Sequence, residues 1–387
     1  MTIELTEEQE LVREAARSLA DGEIAPRAQA MDEATSIFPE VLAALRDLNF
    51  FGLSIPAALG GVDVDTLTTC LVIEEISRAS AAVGVLLSVH NSLVSFGVAK
   101  FGSDEQKSRW LPELAGGRIG GFSQSEPNSG SDPASMISTA VKDGGHYVLN
   151  GTKTFVTNGA IGEIFLVMAK TDPAGGAKGV TCFIVEKGTP GFAVGAKEKK
   201  LGLRASDTVE FNFSDCRVPA ANVLGGEGLG FKIGMSVLDV GRLGVASQAV
   251  GISQAALDHA LRYATERAAF GRPIADLQAI QWMLADMDVK VAAGRLLTHH
   301  AARLRDAGRP FTAAAARAKL YATEESHHVT YMATQIHGGY GFIVDYPVER
   351  YYRDARVTEV YEGTSEIQRI VIARELLKTQ PAYAARP

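Results

Sequence analysis

The chain has 387 residues, 46% hydrophobic and 21% charged, enough apolar material for two or three domains with real cores. A formal net charge of -7 and an isoelectric point near 5.7 leave no basic face for a phosphate backbone, which excludes nucleic acid as an expected partner. Three widely spaced cysteines, Cys70, Cys182 and Cys216, make neither a disulfide framework nor a zinc knuckle.

Residues 1–8 carry Glu4, Glu7 and Glu8 and lack the basic region and apolar core of a secretory signal. No run approaches the ~20 apolar residues that cross a bilayer. A cytoplasmic protein without membrane insertion is therefore expected. Thr6 and Gln9 then have the spacing of a capping box, with apolar positions Leu11, Val12, Ala15, Ala16 and Leu19 on one helical face. Similar faces recur over 41–48, 67–76, 83–98 and 105–114, which predicts a helical domain over residues 1–120.

From 121 to 230 the texture changes to short runs of β-branched and aromatic residues broken by Gly, Asn and Pro. Strands are predicted over 146–149, 154–157, 164–169, 180–185 and 208–213. Two loops stand out in this β domain. In Phe122-Ser123-Gln124-Ser125-Glu126-Pro127-Asn128-Ser129-Gly130-Ser131-Asp132, backbone N–H groups and hydroxyls can turn towards a phosphate or a heterocycle edge; a plain surface turn is the alternative. Gly151-Thr152-Lys153-Thr154-Phe155-Val156-Thr157-Asn158-Gly159 reads as a strand entering a turn.

After Gly230 long Ala-rich helical segments return over 255–269, 277–304 and 312–336, which suits a bundle over 231–387. Asp239 and Arg242 are three apart and can form a helical ion pair. Arg267, before Ala268-Ala269-Phe270-Gly271, can complement a helix C-terminus. His299-His300 and His327-His328 point in different directions on a helix and lack carboxylate ligand spacing, so no metal site is expected.

Near the C-terminus stands Val360-Tyr361-Glu362-Gly363-Thr364-Ser365-Glu366-Ile367-Gln368-Arg369. Tyr361 can desolvate Glu362 and raise its pKa towards neutrality, while Gly363 leaves room for a substrate along the backbone. Alternatively Glu362 is an ordinary carboxylate at a helix N-terminus, with Thr364 and Ser365 as caps.

With Gln335-Ile336-His337-Gly338-Gly339-Tyr340-Gly341-Phe342, then Asp345-Tyr346-Pro347-Val348-Glu349-Arg350 and Arg353-Asp354 upstream, this motif resembles the acyl-CoA dehydrogenase family, and the resemblance extends over essentially the whole chain. It implies an α+β, mainly α, fold: an N-terminal helical domain, a middle β-barrel and a C-terminal four-helix bundle. It makes Glu362 the base that removes the α-proton of an acyl-CoA while FAD takes a hydride from the β-carbon. The Glu362 N–H and the flavin ribityl 2′-hydroxyl would bind the thioester carbonyl.

The resemblance further implies FAD contacts at Phe122, Ser125, Gly130, Ser131, Phe155, Thr157, Arg267, Phe270, Gln278, Gln335, Gly338, Gly339, Thr364 and Glu366, Arg267 reaching the pyrophosphate of a neighbouring subunit. Substrate contacts fall on Ser131, Asp239, Arg242, Tyr361 and Gly363. Some relatives place their base where Gly241 stands. Three positions depart from the usual pattern: Phe122 where some relatives have tyrosine, Gln124 where a small or apolar residue is usual, and Phe155 where many have tryptophan. The implied partners are a short-chain acyl-CoA, straight or branched, an electron-transfer flavoprotein and further copies of the chain in a homotetramer. Fatty-acid β-oxidation and branched-chain amino-acid catabolism are the implied settings. A dioxygen-using acyl-CoA oxidase and a non-catalytic acyl-CoA-binding protein are the alternatives.

Overall fold

The computed structural model describes residues 4–380; residues 1–3 and 381–387, the outer ends of the first and third expected domains, lie outside the described residues. The expected capping box opens α1 (Glu7–Leu19): Thr6 Oγ1 accepts the Gln9 N–H at 3.2 Å, and Gln9 Oε1 accepts the Thr6 N–H at 3.1 Å. Next come α2 (Ala28–Ala34), α3 (Pro39–Asp47), α4 (Thr66–Ala79), α5 (Ala81–Ser88), α6 (Phe96–Phe101) and α7 (Asp104–Ala115).

The single helix expected over 83–98 is interrupted by a wider π-helical stretch, Val89–Ser95. Its side chains bond outward: Asn91 Nδ2 donates to Phe50 O at 2.9 Å, and His90 Nδ1 accepts the Gly120 N–H at 3.0 Å while Nε2 lies 3.0 Å from Phe51 O. Burial pushes the His90 pKa down to about 4, so the ring bridges neutral. Over 81–101 the mean hydropathy reaches 1.6, long and apolar enough to cross a membrane, which corrects the expectation that no run is; 94% of that window is buried inside the protein, as in a core helix.

One sheet follows, made of β1 (Gly120–Ser123), β2 (Thr139–Asp143), β3 (His146–Thr157), β4 (Ile164–Lys170), β5 (Val180–Glu186), β6 (Phe192–Lys197), β7 (Thr208–Pro219) and β8 (Val223–Leu224). Its order is β6-β7-β3-β2-β4-β5-β8, with β1 parallel to β4. The two strands expected over 146–149 and 154–157 are one strand, β3, carrying register shifts between Leu149 and Gly151 and between Lys153 and Val156. Phe165 of β4 lies 5.7 Å from Phe192 of β6 and 4.7 Å from Phe211 of β7, ring centre to ring centre. These strands are several places apart along the sheet, so the sheet curls around a shared aromatic core.

The last region contains α8 (Gly230–Glu266), a short hairpin of β9 (Ala268–Ala269) and β10 (Arg272–Pro273), then α9 (Gln278–Asp306), α10 (Thr312–His337), α11 (Val348–Thr358) and α12 (Ser365–Lys378). The helix expected over 255–269 starts at Gly230 and stops at Glu266, because Arg267 turns extended and its carbonyl accepts the Ile274 N–H at 2.8 Å. At 37 residues α8 is about 55 Å long. It is buried on nearly every side, and the usual amphipathic signal is therefore weak. Arg353 ties the three regions together, donating to Asp32 Oδ2 at 2.9 Å, Glu349 Oε2 at 2.7 Å and Leu201 O at 3.2 Å.

Candidate active site

Glu362 sits in the turn between α11 and α12 with φ 51°, and Gly363 follows at φ 97°. The left-handed conformation is uncommon for a glutamate and has to be held by its surroundings. Thr364 does cap α12, its Oγ1 accepting the Ile367 N–H at 3.3 Å, so the ordinary helix-start reading is right about Thr364. It is wrong about Glu362. The Glu362 Oε2 is shielded from solvent and makes no hydrogen bond among the described residues, whereas a helix-start carboxylate would be solvated. Burial pushes its pKa up to about 7, against the pull of Lys319 and Arg242. The backbone N–H of Glu362 likewise meets no acceptor among the described residues.

The carboxylate packs on α8. A Cβ built on Gly241 would lie 1.9 Å from Glu362 Oε2 and 2.7 Å from Leu93 Cδ2, so position 241 must be glycine while Glu362 stands there. Tyr361, expected as the desolvating wall, is partly buried against the core and anchored through its hydroxyl, which donates to Gln248 Oε1; Gln248 Nε2 in turn donates to Ala81 O at 2.8 Å. The Gly363 carbonyl accepts from Lys319 Nζ and from Gln368 Nε2, both at 2.9 Å. Lys319, Gln248 and Gln368 were missed in the sequence, although Lys319 has a detectable signature: it interrupts a buried helical face marked by Ala315, Ala318 and Ala322.

Asp239 and Arg242 form the expected helical ion pair, and Asp239 Oδ2 also accepts from Thr312 Oγ1 at 2.7 Å. Arg242 is buried close enough to Glu362 to act on its charge, so these residues share one site with Tyr361, Glu362 and Gly363. Thr364 and the exposed Glu366 stand at its rim, on the first turn of α12.

A second group lies on the middle domain. Thr154 N–H donates to Ser125 O at 2.9 Å, joining the Phe122–Ser131 loop to β3. Beneath it Lys153 and Glu126, both wholly buried, pair at 2.7 Å, and Glu126 also accepts the Ile137 N–H at 2.6 Å and the Ser138 N–H at 3.1 Å. The bulge puts Phe155 at φ 57° with 70% of its surface exposed, while Lys153 on the same strand points inward. Gln124 seats its side-chain oxygen against Gly234 of α8, which accounts for a long residue at that position. Phe122 and Thr157 are half-buried, and Gly130 and Ser131 are exposed. The hydroxyls of Ser123 and Thr154 are buried beside this loop without partners among the described residues.

Arg267, Gly338 and Gly339 form a third group around a cavity of about 410 Å³ also lined by Tyr263, His337 and Tyr340. The Arg267 guanidinium lies 5.6 Å from the Tyr340 ring centre, and the Gly338 N–H donates to Gln335 O. Phe270 is 90% exposed at the hairpin tip, and Gln278 is exposed at the start of α9, outside this lining. Gly234, beside the Ser125 loop, and Arg267 stand at opposite ends of α8, about 50 Å apart along its axis. Within one chain, no dinucleotide reaches both.

Family models of the acyl-CoA dehydrogenase N-terminal, middle and C-terminal domains match residues 6–118, 121–216 and 228–377. The chain is 47% identical over 382 residues to the acryloyl-CoA reductase (NADH) of Anaerotignum propionicum, covering 98% of this chain and 96% of that one. Among solved structures it is similar to butyryl-CoA dehydrogenase from Megasphaera elsdenii, with a TM-score of 0.95 and 40% identity, over 97% of this chain and all of that one. It is also similar to a chain in a structure described as the electron transferring flavoprotein of Acidaminococcus fermentans, studied for flavin-based electron bifurcation, with a TM-score of 0.96 and 43% identity over 98% of this chain and all of that one.

Proposed function

The chain belongs to the acyl-CoA dehydrogenase family, and we propose that it introduces an α,β double bond into a short-chain acyl-CoA with Glu362 as the base. It is an oxidoreductase acting on acyl-CoA with FAD as cofactor. The observation that carries the proposal is the Glu362 carboxylate itself, half-buried, with Oε2 shielded from solvent and without a hydrogen bond among the described residues, and with its pKa pushed up to about 7, as a base for a carbon-bound proton requires. Its unpartnered N–H supplies a donor for the thioester carbonyl oxygen, where negative charge develops as the α-proton leaves. Gly241 leaves the carboxylate the space it occupies, and Leu93 helps exclude water. When bound, FAD supplies the acceptor for the β-hydride.

The residues suit that cofactor. The pairing of Ser123 and Thr154 hydroxyls without partners beside a Gly and Ser loop offers hydrogen bonds to a heterocycle, and Arg267 over a wide cavity offers a guanidinium fork to a pyrophosphate. Since the two sets lie about 50 Å apart on α8, we assign Arg267, Gln335, Gly338 and Gly339 to the flavin of a second copy, which makes the working enzyme an oligomer. A charge-assisted contact of this kind contributes roughly 1.5 to 3 kcal/mol, about tenfold to a hundredfold in affinity. Arg267→Ala should therefore shed FAD on dilution and lose thermal stability that excess FAD restores. Flavin retention and melting identical to wild type would refute the assignment.

A short acyl preference is favoured by the likeness to butyryl-CoA dehydrogenase and by the close packing of α8 one turn beyond Gly241. A Cβ on Gly244, one turn beyond Gly241, would lie 2.1 Å from Ser88 Oγ, so α8 and α5 are in contact there. Beside them, a cavity lined by Ser92, Phe96 and Leu243 holds only about 20 Å³, room for about one water. Each accommodated methylene contributes roughly 0.8 kcal/mol, so activity would climb with length only in a deep pocket. Specificity across straight and branched acyl-CoAs should peak at about C4 to C6, a maximum at dodecanoyl-CoA or longer overturning this reading. With an electron-transfer flavoprotein as acceptor turnover should proceed without peroxide; stoichiometric peroxide release would instead mark an oxidase.

A further inference from the structure

We propose that Lys319 is a positioning residue for proton removal: its buried ammonium holds the Glu362–Gly363 turn by the Gly363 carbonyl and supplies the positive field that keeps Glu362 ionised as a base. This rests on the reading of Glu362 as the base.

Lys319 has no exposed surface, although lysine is among the residues least often fully buried. It lies on the inward face of α10 beside Ala315, Ala318 and Ala322, where an apolar residue would avoid the cost of desolvating an ammonium. Its one hydrogen bond among the described residues goes to Gly363 O, on the second of the two left-handed residues that aim the carboxylate at Gly241. Gln368 already donates to the same oxygen at 2.9 Å, so the carbonyl would be satisfied without Lys319. What Gln368 lacks is charge.

The charged groups facing this pair come from four elements. Lys319 and Glu324 lie on α10, Arg242 with its partner Asp239 on α8, Glu359 and Glu362 in the turn after α11, and Arg374 on α12 beside Arg242. Arg242 already has Asp239 and Arg374 has Glu375 as a close partner, which among the described residues leaves Lys319 as the cation of this group without a carboxylate in contact. Burial lowers the Lys319 pKa to about 8, opposed by Glu362 and Glu359, while Lys319 is the largest influence holding Glu362 down against its own burial. The two groups thus titrate close together as a coupled pair.

The test uses FAD-loaded protein and anaerobic reduction of the flavin by butyryl-CoA, followed against pH. In Lys319→Met, and in Lys319→Gln, the acid limb of the reduction rate should move up by about one pH unit, giving about a tenfold loss below the limb and recovery of rate as the pH is raised. A purely structural lysine would lower the rate at every pH. Unshifted limbs in both variants, with Glu362→Gln slow as expected, overturn the role of Lys319 alone. Full-speed reduction by Glu362→Gln overturns the base assignment and this proposal together.

If neither Lys319 variant folds, the reciprocal measurement decides. A lysine whose folded pKa is depressed makes stability rise with pH between that value and its unfolded pKa. Removing the Glu362 charge lowers Lys319 further, so in Glu362→Gln the rise of melting temperature above pH 7 should begin at lower pH than in wild type. An onset that does not move refutes the coupling.

Discussion

Glu362→Gln should slow flavin reduction by substrate by roughly 10² to 10⁴ or somewhat more, because the amide keeps the shape and loses the proton acceptor. FAD should stay bound, and acyl-CoA should still perturb its visible spectrum. The same change should make the fold more stable at neutral pH. Burial raises the Glu362 pKa to about 7 from an ordinary 4.5, even after Lys319 and Arg242 have pulled it down. The folded state therefore binds more protons than the unfolded one between these values, and wild-type stability falls as pH rises through that window. The penalty is fully present above pH 7, where the amide should gain roughly 1 to 3 kcal/mol, and absent below about 4.5. Thermal melts of both proteins against pH read the difference. A variant that reduces flavin at wild-type speed would place the base elsewhere, and a stability difference flat with pH would mean the carboxylate is solvated in the fold.

Lys153→Met should destabilise the protein by about 3 to 5 kcal/mol, since it strands a buried carboxylate. Lys153 and Glu126 have no exposed side-chain surface and meet at 2.7 Å. Burial alone would push the Glu126 pKa up, but Lys153 and the Ile137 N–H outweigh it and hold the carboxyl below its usual range. Glu126 in turn fixes Ile137 and Ser138, so losing the ion pair loosens the Phe122–Ser131 loop as well as the core. FAD affinity should fall together with the melting temperature. Lys153→Met combined with Glu126→Gln should recover much of the loss, because the amide carries no charge to strand and still accepts a backbone N–H. Stability and flavin retention unchanged in the single variant would show that the pair holds nothing.

The motif around Glu362 was legible as a candidate base because an aromatic residue, a carboxylate and a glycine in sequence limit what the site can do. The Thr6 and Gln9 capping box, the change from helical to strand texture near residue 120 and the return to helix near 230 were equally open, since each depends on residues within a few positions of one another. Elements that depend on distant partners were not. The length of α8 was hidden because burial on all sides removes the periodic contrast that marks a helix. The bulge that turns Phe155 outward while Lys153 stays inside arises from pairing with β7, a register that β3 does not carry in its own sequence.

The sequence by itself determined the residue types at the site, the order of helical and β regions and the candidate base. Only the tertiary structure decided that Glu362 rests on Gly241, that Lys319 and Gln368 share the Gly363 carbonyl, and that the Ser125 loop and Arg267 stand at opposite ends of one helix. Local pattern records what each segment prefers, through spacing and backbone sterics. Burial, desolvation and charge coupling belong to pairs of segments tens or hundreds of residues apart, and they come into being when packing closes the space between them.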